Sequence, residues 1–227
     1  MKGSTKVLRI SAIIMMGMTA AMNIFGGAGT YCAAFSNDIG YRMAFIALKD
    51  YRWLYQIVMV TTVLTGIAGV MALIKLIRGK PGVYRFTMIV LGIGTVLGGT
   101  QFFASLILRG AATPANVKFF INLATLLLFL SFLLPGIKDK VDFSQPMEKA
   151  EKDSTAGIVS ILVGITALTI FAWAGPSHTY FGENWVYVLE IPLLVVGTTL
   201  IVGGFITVLR AMLNIFSDQA ITREQKI

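Results

Sequence analysis

Glu190 combines an ionisable side chain with a position inside a long apolar run. It comes five residues after Trp185, and a rise of about 1.5 Å per residue puts it about 7 Å inside the run. Ionisable groups within a membrane span often mark an ion or proton path. Pro192 removes a backbone donor nearby and frees a carbonyl close to the carboxylate. Glu190 is therefore a candidate functional residue. The alternative is that it snorkels to the interface or pairs with an outer-loop arginine.

His178 is the only histidine, and Cys32 is the only cysteine. A histidine near a carboxylate could relay protons, or could bind a metal together with Cys32. One residue of each type, from separate segments, is a weak metal pattern, and an exposed loop histidine is the simpler interpretation. We therefore keep His178 as a candidate functional residue and predict neither a metal site nor a bound cofactor. A lone cysteine also excludes an internal disulfide.

The composition indicates an integral membrane protein. Of the 227 residues, 56% are hydrophobic and 13% are charged, whereas soluble domains carry about a quarter charged residues. The net charge is +8, but the basic residues cluster at the ends of apolar runs, as topology signals do. We therefore expect the lipid bilayer as partner and no nucleic acid. Nucleotide-loop, H-E-x-x-H and G-x-S-x-G motifs are absent from the sequence.

Six apolar runs predict an all-α, polytopic protein. Each run is close to the length of about 20 residues that crosses a bilayer. The predicted spans 1 to 6 cover residues 9–29, 53–77, 86–108, 119–137, 156–174 and 185–209.

A mixed-charge segment divides these spans into two groups. Residues 1–137 form a four-helix membrane unit, and residues 156–210 form a two-helix hairpin. The segment between them, 138–155, is predicted to be a solvated cytoplasmic linker, and residues 211–227 a cytoplasmic tail. Residues 31–52 are more polar, and fit either a short interfacial amphipathic helix or an ordered loop.

Small and polar residues within the spans predict how the helices pack. Gly94 and Gly98 share one face of span 3 and permit close approach of another backbone, so we expect span 3 to be the central helix. Gln101 in span 3 and Asn23 in span 1 are expected to hydrogen-bond between helices. Span 4 is rich in Leu and Phe, which predicts a lipid-facing helix, with Asn122 at the interface.

The distribution of basic residues predicts the orientation. Fourteen of the 19 Lys and Arg residues flank the N-terminus, the C-terminus, the junction of spans 2 and 3, and the junction of spans 4 and 5. Basic residues favour the cytoplasmic side. We therefore expect a cell-membrane protein with both termini in the cytoplasm.

A parallel repeat of the first hairpin in the last one is also predicted. The patterns G-x-T-A, I-F-x-x-A-G, T-Y and W-x-Y occur in the same order in residues 17–55 and 164–187. Chance similarity between two glycine-rich apolar helices is the alternative. If the repeat is real, its shared residues belong to the scaffold. His178 and Glu190 then have no counterpart in the first copy, since Val58 occupies the position of Glu190.

Three functions are compatible with these features. The scarcity of charge within the spans favours a non-catalytic accessory or scaffold subunit of a membrane assembly, or a homo-oligomer. A second possibility is a small-solute or proton-coupled permease that uses Glu190. A third is a membrane enzyme that acts on a lipid or quinone near the outer face through His178 and Glu190. The sequence leaves open whether the chain is an enzyme, and it favours a non-catalytic role.

Overall fold

The computed structural model describes residues 3–35, 37, 45–112, 114–138, 140–180 and 182–224. These residues are almost entirely helical, as the apolar runs predict. The α-helices, in chain order, are α1 (Gly3–Gly29), α2 (Tyr31–Phe35), α3 (Arg52–Ile77), α4 (Val83–Arg109), α5 (Ala115–Ser131), α6 (Lys149–Leu168), α7 (Ile170–Trp173) and α8 (Glu190–Glu224).

Short elements connect the long helices. Three 3₁₀ turns cover Ile46–Tyr51, Gly175–His178 and Trp185–Leu189. Strands β1 (Thr179–Tyr180) and β2 (Glu183–Asn184) form a two-residue antiparallel ladder, with Thr179 opposite Asn184. This ladder joins α7 to the start of α8.

Four helical segments are long and apolar enough to cross a membrane. They cover Thr5–Phe35, Ile46–Ile77, Val83–Arg109 and Val186–Ile215. They correspond to predicted spans 1, 2, 3 and 6. Helix α5 has 17 residues. Helix α6 has 20 residues, and Lys149, Glu151, Lys152 and Asp153 occupy its start, which leaves a shorter apolar part. Spans 4 and 5 are therefore shorter than the sequence predicted.

Helix α1, and not α4, lies at the centre of the bundle. The most apolar stretch of α1 is 56% buried inside the protein, against 28% for α4. Helix α1 packs against α3, α5 and α6. A methyl group on Gly66 of α3 would lie 2.9 Å from the backbone nitrogen of Ile24. The prediction that span 3 is central was wrong. It rested on the small residues of span 3, but glycine also lines the contact between α1 and α3.

The segment between α5 and α6 is packed against the bundle, which corrects the prediction of a solvated linker. Val141, Phe143 and Met147 are buried in the main hydrophobic cluster. The Met147 amide donates to the Ile77 carbonyl oxygen at 3.4 Å, and the Arg9 guanidinium donates to the Gln145 carbonyl oxygen. Counting charges missed this packing, because three apolar side chains between the charges supply the buried face.

Glycine pairs hold α6 and α8 together. A methyl group on Gly164 would lie 2.7 Å from the Gly197 carbonyl oxygen, and one on Gly157 would lie 2.7 Å from the Gly204 carbonyl oxygen. The two pairs are seven residues apart on both helices. The helices therefore run antiparallel in fixed register, at a separation that only small residues allow.

The polar segment before α3 is described only in part. Residues 38–44, which belong to the segment predicted as an interfacial amphipathic helix or an ordered loop, lie outside the described residues. Residues Ile46–Tyr51 form the 3₁₀ turn, and Leu48 within it is buried against Ala33, Ala34 and Tyr55.

Candidate functional site

A polar face on α5 points into the bundle. Lys118, Asn122 and Thr125 are buried, together with Ala115 and Phe129. Residues three and four apart share one side of a helix, so these five form a single stripe. Phe120 and Leu127, on the other side, are more than half exposed. Helix α5 therefore turns its polar side chains toward the protein.

Asn23 of α1 and Asn122 of α5 form a reciprocal amide pair. The Asn23 Nδ2 donates to Asn122 Oδ1 at 3.1 Å, and the Asn122 Nδ2 donates to Asn23 Oδ1 at 2.8 Å. The Asn122 amide also donates to the Lys118 carbonyl oxygen at 2.8 Å. Asn122 is 0% exposed, so the prediction that it lies at the interface was wrong. The amide pair satisfies both side chains within the bundle.

A hydroxyl pair continues the polar stripe. Thr19 Oγ1 and Thr125 Oγ1 are 2.7 Å apart, and Thr19 also donates to the Met15 carbonyl oxygen at 2.8 Å. Both threonines are fully buried. Helices α1 and α5 are thus joined by two consecutive polar contacts, one helical turn apart.

Lys118 ends the stripe with a buried amine. Its side chain is 2% exposed. The Nζ donates to Gln101 Oε1 of α4 and to Thr62 Oγ1 of α3 at 3.4 Å. Gln101 in turn donates from Nε2 to Thr30 Oγ1 at 2.9 Å. A methyl group on Gly26 of α1 would lie 3.1 Å from the Lys118 Cδ, so this glycine gives the lysine its room.

The Lys118 amine lies deep within the bundle. Thr62 is ten residues after the start of α3, and Gln101 is eight residues before the end of α4. At a rise of about 1.5 Å per residue, these positions lie about 15 Å and 12 Å from the same end of the bundle. Half the hydrocarbon thickness of a bilayer is about 15 Å. The side chain therefore carries the amine toward the midplane of the helices.

No carboxylate accompanies this amine in the part of the chain that the structure describes. The ion pairs there join Lys6 to Glu148 and Glu151, at 3.5 Å and 3.0 Å, at the other end of α1. The described contacts of the Lys118 Nζ are with an amide oxygen and a hydroxyl oxygen. In its protonated form the amine has three donors, so that form leaves one donor for an acceptor that the described residues do not supply.

Glu190 and His178 lie outside this polar stripe. Glu190 is exposed in the first turn of α8. His178 is half-buried at the end of a 3₁₀ turn, and its Nδ1 lies 2.9 Å from the Ala174 carbonyl oxygen. Burial lowers the pKa of His178, hydrogen bonds to the backbone of Ala174 and Gly29 oppose that effect, and the charge of Arg109 adds to it. His178 therefore packs near the end of α1.

Three residues assigned to helix packing lie at helix contacts. A methyl group on Gly94 would lie 2.1 Å from Asn122 Oδ1, and one on Gly98 would lie 3.0 Å from the Phe119 Cα. Gln101 bonds to Thr30 and Lys118. All three face α1 or α5, which explains why small side chains are needed at the two glycines.

The spacing of the polar stripe can be read in the sequence, but the predicted start of span 4 excludes its first polar residue. Lys118, Asn122 and Thr125 follow the four- and three-residue spacing of one helix face within an otherwise apolar stretch. The predicted span 4 begins at residue 119 and leaves Lys118 in the loop before it, because a lysine next to a loop is normally a boundary residue. In the structure, α5 begins at Ala115, which places the lysine inside the helix.

The described residues hold no group of three or more His, Cys, Asp or Glu side chains that could bind a metal ion. No family of known proteins, no curated protein and no solved structure matches this chain. Fold and site together define an almost entirely helical protein with helices long and apolar enough to span a membrane, built around a buried polar stripe that ends in a lysine.

Proposed function

We propose that this chain is a small permease for an anionic solute, with Lys118 as the residue that binds the anion. The observation that supports it is the buried amine of Lys118, which has two neutral acceptors and no described carboxylate. This assigns to Lys118 the role that the sequence suggested for Glu190. Glu190 is exposed at the start of α8, apart from the polar stripe.

The energetic argument starts from the cost of a buried charge. Moving an unpaired cation into the interior costs several kcal/mol, even after relaxation. An apolar residue at position 118 would avoid this penalty and would still pack against Gly26. A buried ionisable residue within membrane helices is therefore best explained by a function that uses it.

The chemistry around the amine suits a small anion. The unused donor of Lys118 can bind a carboxylate or an inorganic oxyanion, and charge-assisted bonds of this kind are about twice as strong as neutral ones. The neighbouring hydroxyl of Thr62 and amide of Gln101 can rearrange around such a ligand. Binding of an anion would stabilise the protonated form of the amine, which has no carboxylate beside it among the described residues.

Flux measurements on reconstituted protein test this proposal. Proteoliposomes would be assayed with chloride, sulfate, acetate, lactate and succinate as probes. A charge-assisted bond contributes about 1.5 to 3 kcal/mol, so Lys118→Gln should lower flux of the transported probe about 10- to 150-fold. Lys118→Arg keeps the charge and should retain part of the flux. Lys49→Gln, which removes an exposed lysine, is the matched control.

Two results would count against the permease. Equal flux in wild-type protein and Lys118→Gln would show that the amine binds no transported anion. An equal loss in Lys49→Gln would show a general charge effect instead of a site. If wild-type protein moves none of the probes, the second candidate function below is favoured.

The proposed topology has six spans, with both termini in the cytoplasm of a cell-membrane protein. Helices α5 and α6 complete the six. Support comes from the register of α6 on α8, since the pairs Gly157–Gly204 and Gly164–Gly197 place α6 at the same depth as a candidate span. A parallel repeat is part of this proposal, because α1–α3 and α6–α8 are both antiparallel pairs closed by glycine. The matched residues Gly17 and Gly164 nevertheless face different partners, α6 and α8.

The second candidate function is that of an accessory or scaffold subunit. The apolar stretch of α8 is only 17% buried, and a methyl group on Gly203 would meet no atom within 4 Å. Such a face, with a small residue open to the outside, suits contact with a helix of another membrane subunit. Extraction in a mild detergent followed by measurement of particle mass tests this idea, and a stable monomer in native lipid would contradict it.

A further inference from the structure

A basic groove lies at the C-terminal end of α3. It has a volume of about 430 Å³. We call it the α3 basic groove, and its lining residues are Met71, Ile74, Lys75, Arg78, Lys80 and Pro81.

The lining of the groove carries positive charge only. None of its lining residues is acidic. Arg78 and Lys80 are exposed, and no ion pair to these residues or to Lys75 is present among the residues that the structure describes. The Lys75 Nζ lies 4.3 Å from the centre of the Phe86 ring, and this cation–π contact holds the amine beside the groove. Three cations therefore converge at one helix end.

An apolar strip continues from the groove along α3. Leu64, Ile67, Met71 and Ile74 are each more than 40% exposed. Their spacing of three and four residues places them on one helix face. The strip extends over ten residues, which is about 15 Å at the helical rise. Charge at one end and an apolar strip of this length match a headgroup with an acyl chain attached.

We propose that the α3 basic groove binds an anionic phospholipid. The phosphate would lie between Lys75, Arg78 and Lys80, and an acyl chain would follow the strip from Ile74 to Leu64. Basic pockets at the ends of membrane helices recognise anionic headgroups in this way. A free phosphate ion would use the basic end alone and would gain nothing from the strip.

A neighbouring pocket offers room for a larger headgroup. Lys80 also lines a cavity of about 220 Å³ that includes Lys138, Asp142 and Ser144. The Asp142 carboxylate accepts hydrogen bonds from the Ser144 amide at 2.8 Å and from its hydroxyl at 2.6 Å. The carboxylate is thus held by the loop, and Lys138 can extend the positive surface toward a larger headgroup.

Native mass spectrometry of the purified protein in detergent tests the assignment. The probes are phosphatidylglycerol, phosphatidylcholine with the same acyl chains, and inorganic phosphate. Each basic residue near an anionic group contributes about 1 kcal/mol, and 1.4 kcal/mol corresponds to tenfold. The double variant Arg78→Gln/Lys80→Gln should therefore bind phosphatidylglycerol about thirtyfold more weakly. Lys149→Gln/Lys152→Gln removes two exposed charges at the start of α6 and should bind as wild-type protein does.

Several outcomes would overturn the proposal. Unchanged binding of phosphatidylglycerol by the groove variant would exclude the site. Equal loss in the control variant would show diffuse attraction by surface charge, and equal binding of phosphatidylcholine would remove the role of the headgroup charge. Displacement of the lipid by millimolar phosphate would assign the site to a free anion. Helix content by circular dichroism, matched between variants, excludes unfolding as the cause of a loss. None of these measurements depends on whether Lys118 transports an anion.

Discussion

Replacing Gly94 by alanine probes the contact between α4 and the buried amide pair. The added methyl group would lie 2.1 Å from Asn122 Oδ1 and 3.3 Å from Asn23 Nδ2. Asn122 cannot simply rotate away, because its amide is bonded to Asn23 and to the Lys118 carbonyl oxygen. The substitution must therefore break the pair or push α4 away from α5.

The expected change in stability follows from these contacts. Two interhelical hydrogen bonds in a membrane contribute about 0.6 kcal/mol each, and overpacking costs about 1 to 3 kcal/mol. Replacing a mid-helix glycine by alanine stabilises the helix by about 0.5 to 1 kcal/mol, which offsets part of this loss. Together these contributions predict that Gly94→Ala is destabilised by about 1 to 4 kcal/mol.

Gly92→Ala is the matched control, because it makes the same substitution two residues away on the same helix. A methyl group there meets no atom within 4 Å, so this variant should be stabilised by about 0.5 to 1 kcal/mol. Unfolding in mixed micelles with increasing dodecyl sulfate, followed by circular dichroism, measures the free energy of unfolding of both variants. Equal stability of the two would refute the placement of Gly94 against the amide pair.

Three further predictions follow from other contacts. Tyr55→Phe should be destabilised by about 1 kcal/mol, because the Tyr55 hydroxyl lies 2.8 Å from Ser105 Oγ and both residues are buried. The double variant Tyr55→Phe/Ser105→Ala should recover much of this loss of stability, since no polar group is then left unpaired. Additive losses in the free energy of unfolding, measured in micelles, would contradict this. Gly164→Ala should weaken the α6–α8 contact, because the methyl group would lie 2.7 Å from a backbone oxygen, whereas Gly203→Ala should not, because its methyl group would meet no atom within 4 Å. A similar shift of the unfolding midpoint in both variants would argue against the glycine pairing between α6 and α8. The pKa of His178 is lowered by burial, so the unfolded state binds more protons, and stability should fall as the pH drops through and below the unfolded pKa of about 6.5. Thermal unfolding between about pH 7.5 and 5 should show this fall in wild-type protein and not in His178→Gln. The same fall in both proteins would assign the pH dependence to another group.

The polar stripe of α5 shows which contacts cannot be predicted from the order of residues along the chain. The sequence predicts that Asn23 and Gln101 bond between helices, because an isolated amide in an apolar run needs a partner. Their partners are Asn122 and Lys118 on α5 and Thr30 just after α1. The sequence could not identify these partners, since they depend on helix rotations that the whole bundle sets. The prediction that Asn122 lies at the interface was wrong for the same reason. Its neighbours in the sequence resemble a boundary, whereas its neighbours in space are α1 and α4.

The sequence by itself determined the helical class, the approximate extents of α3 and α4, and the Gly94–Gly98 face, because hydrophobic runs, turn residues and the spacing of small residues act locally. Tertiary structure decided which helix is central, that the segment from Val141 to Met147 is packed, and that Lys118 is enclosed. These depend on how far helices approach and rotate, which the contacts of Gly26, Gly66 and Gly94 fix together. Lys118 is the fourth residue of α5, and its position in the sequence does not show whether it faces water or the protein interior. Only the packing of α1, α3 and α4 around α5 makes it a buried amine.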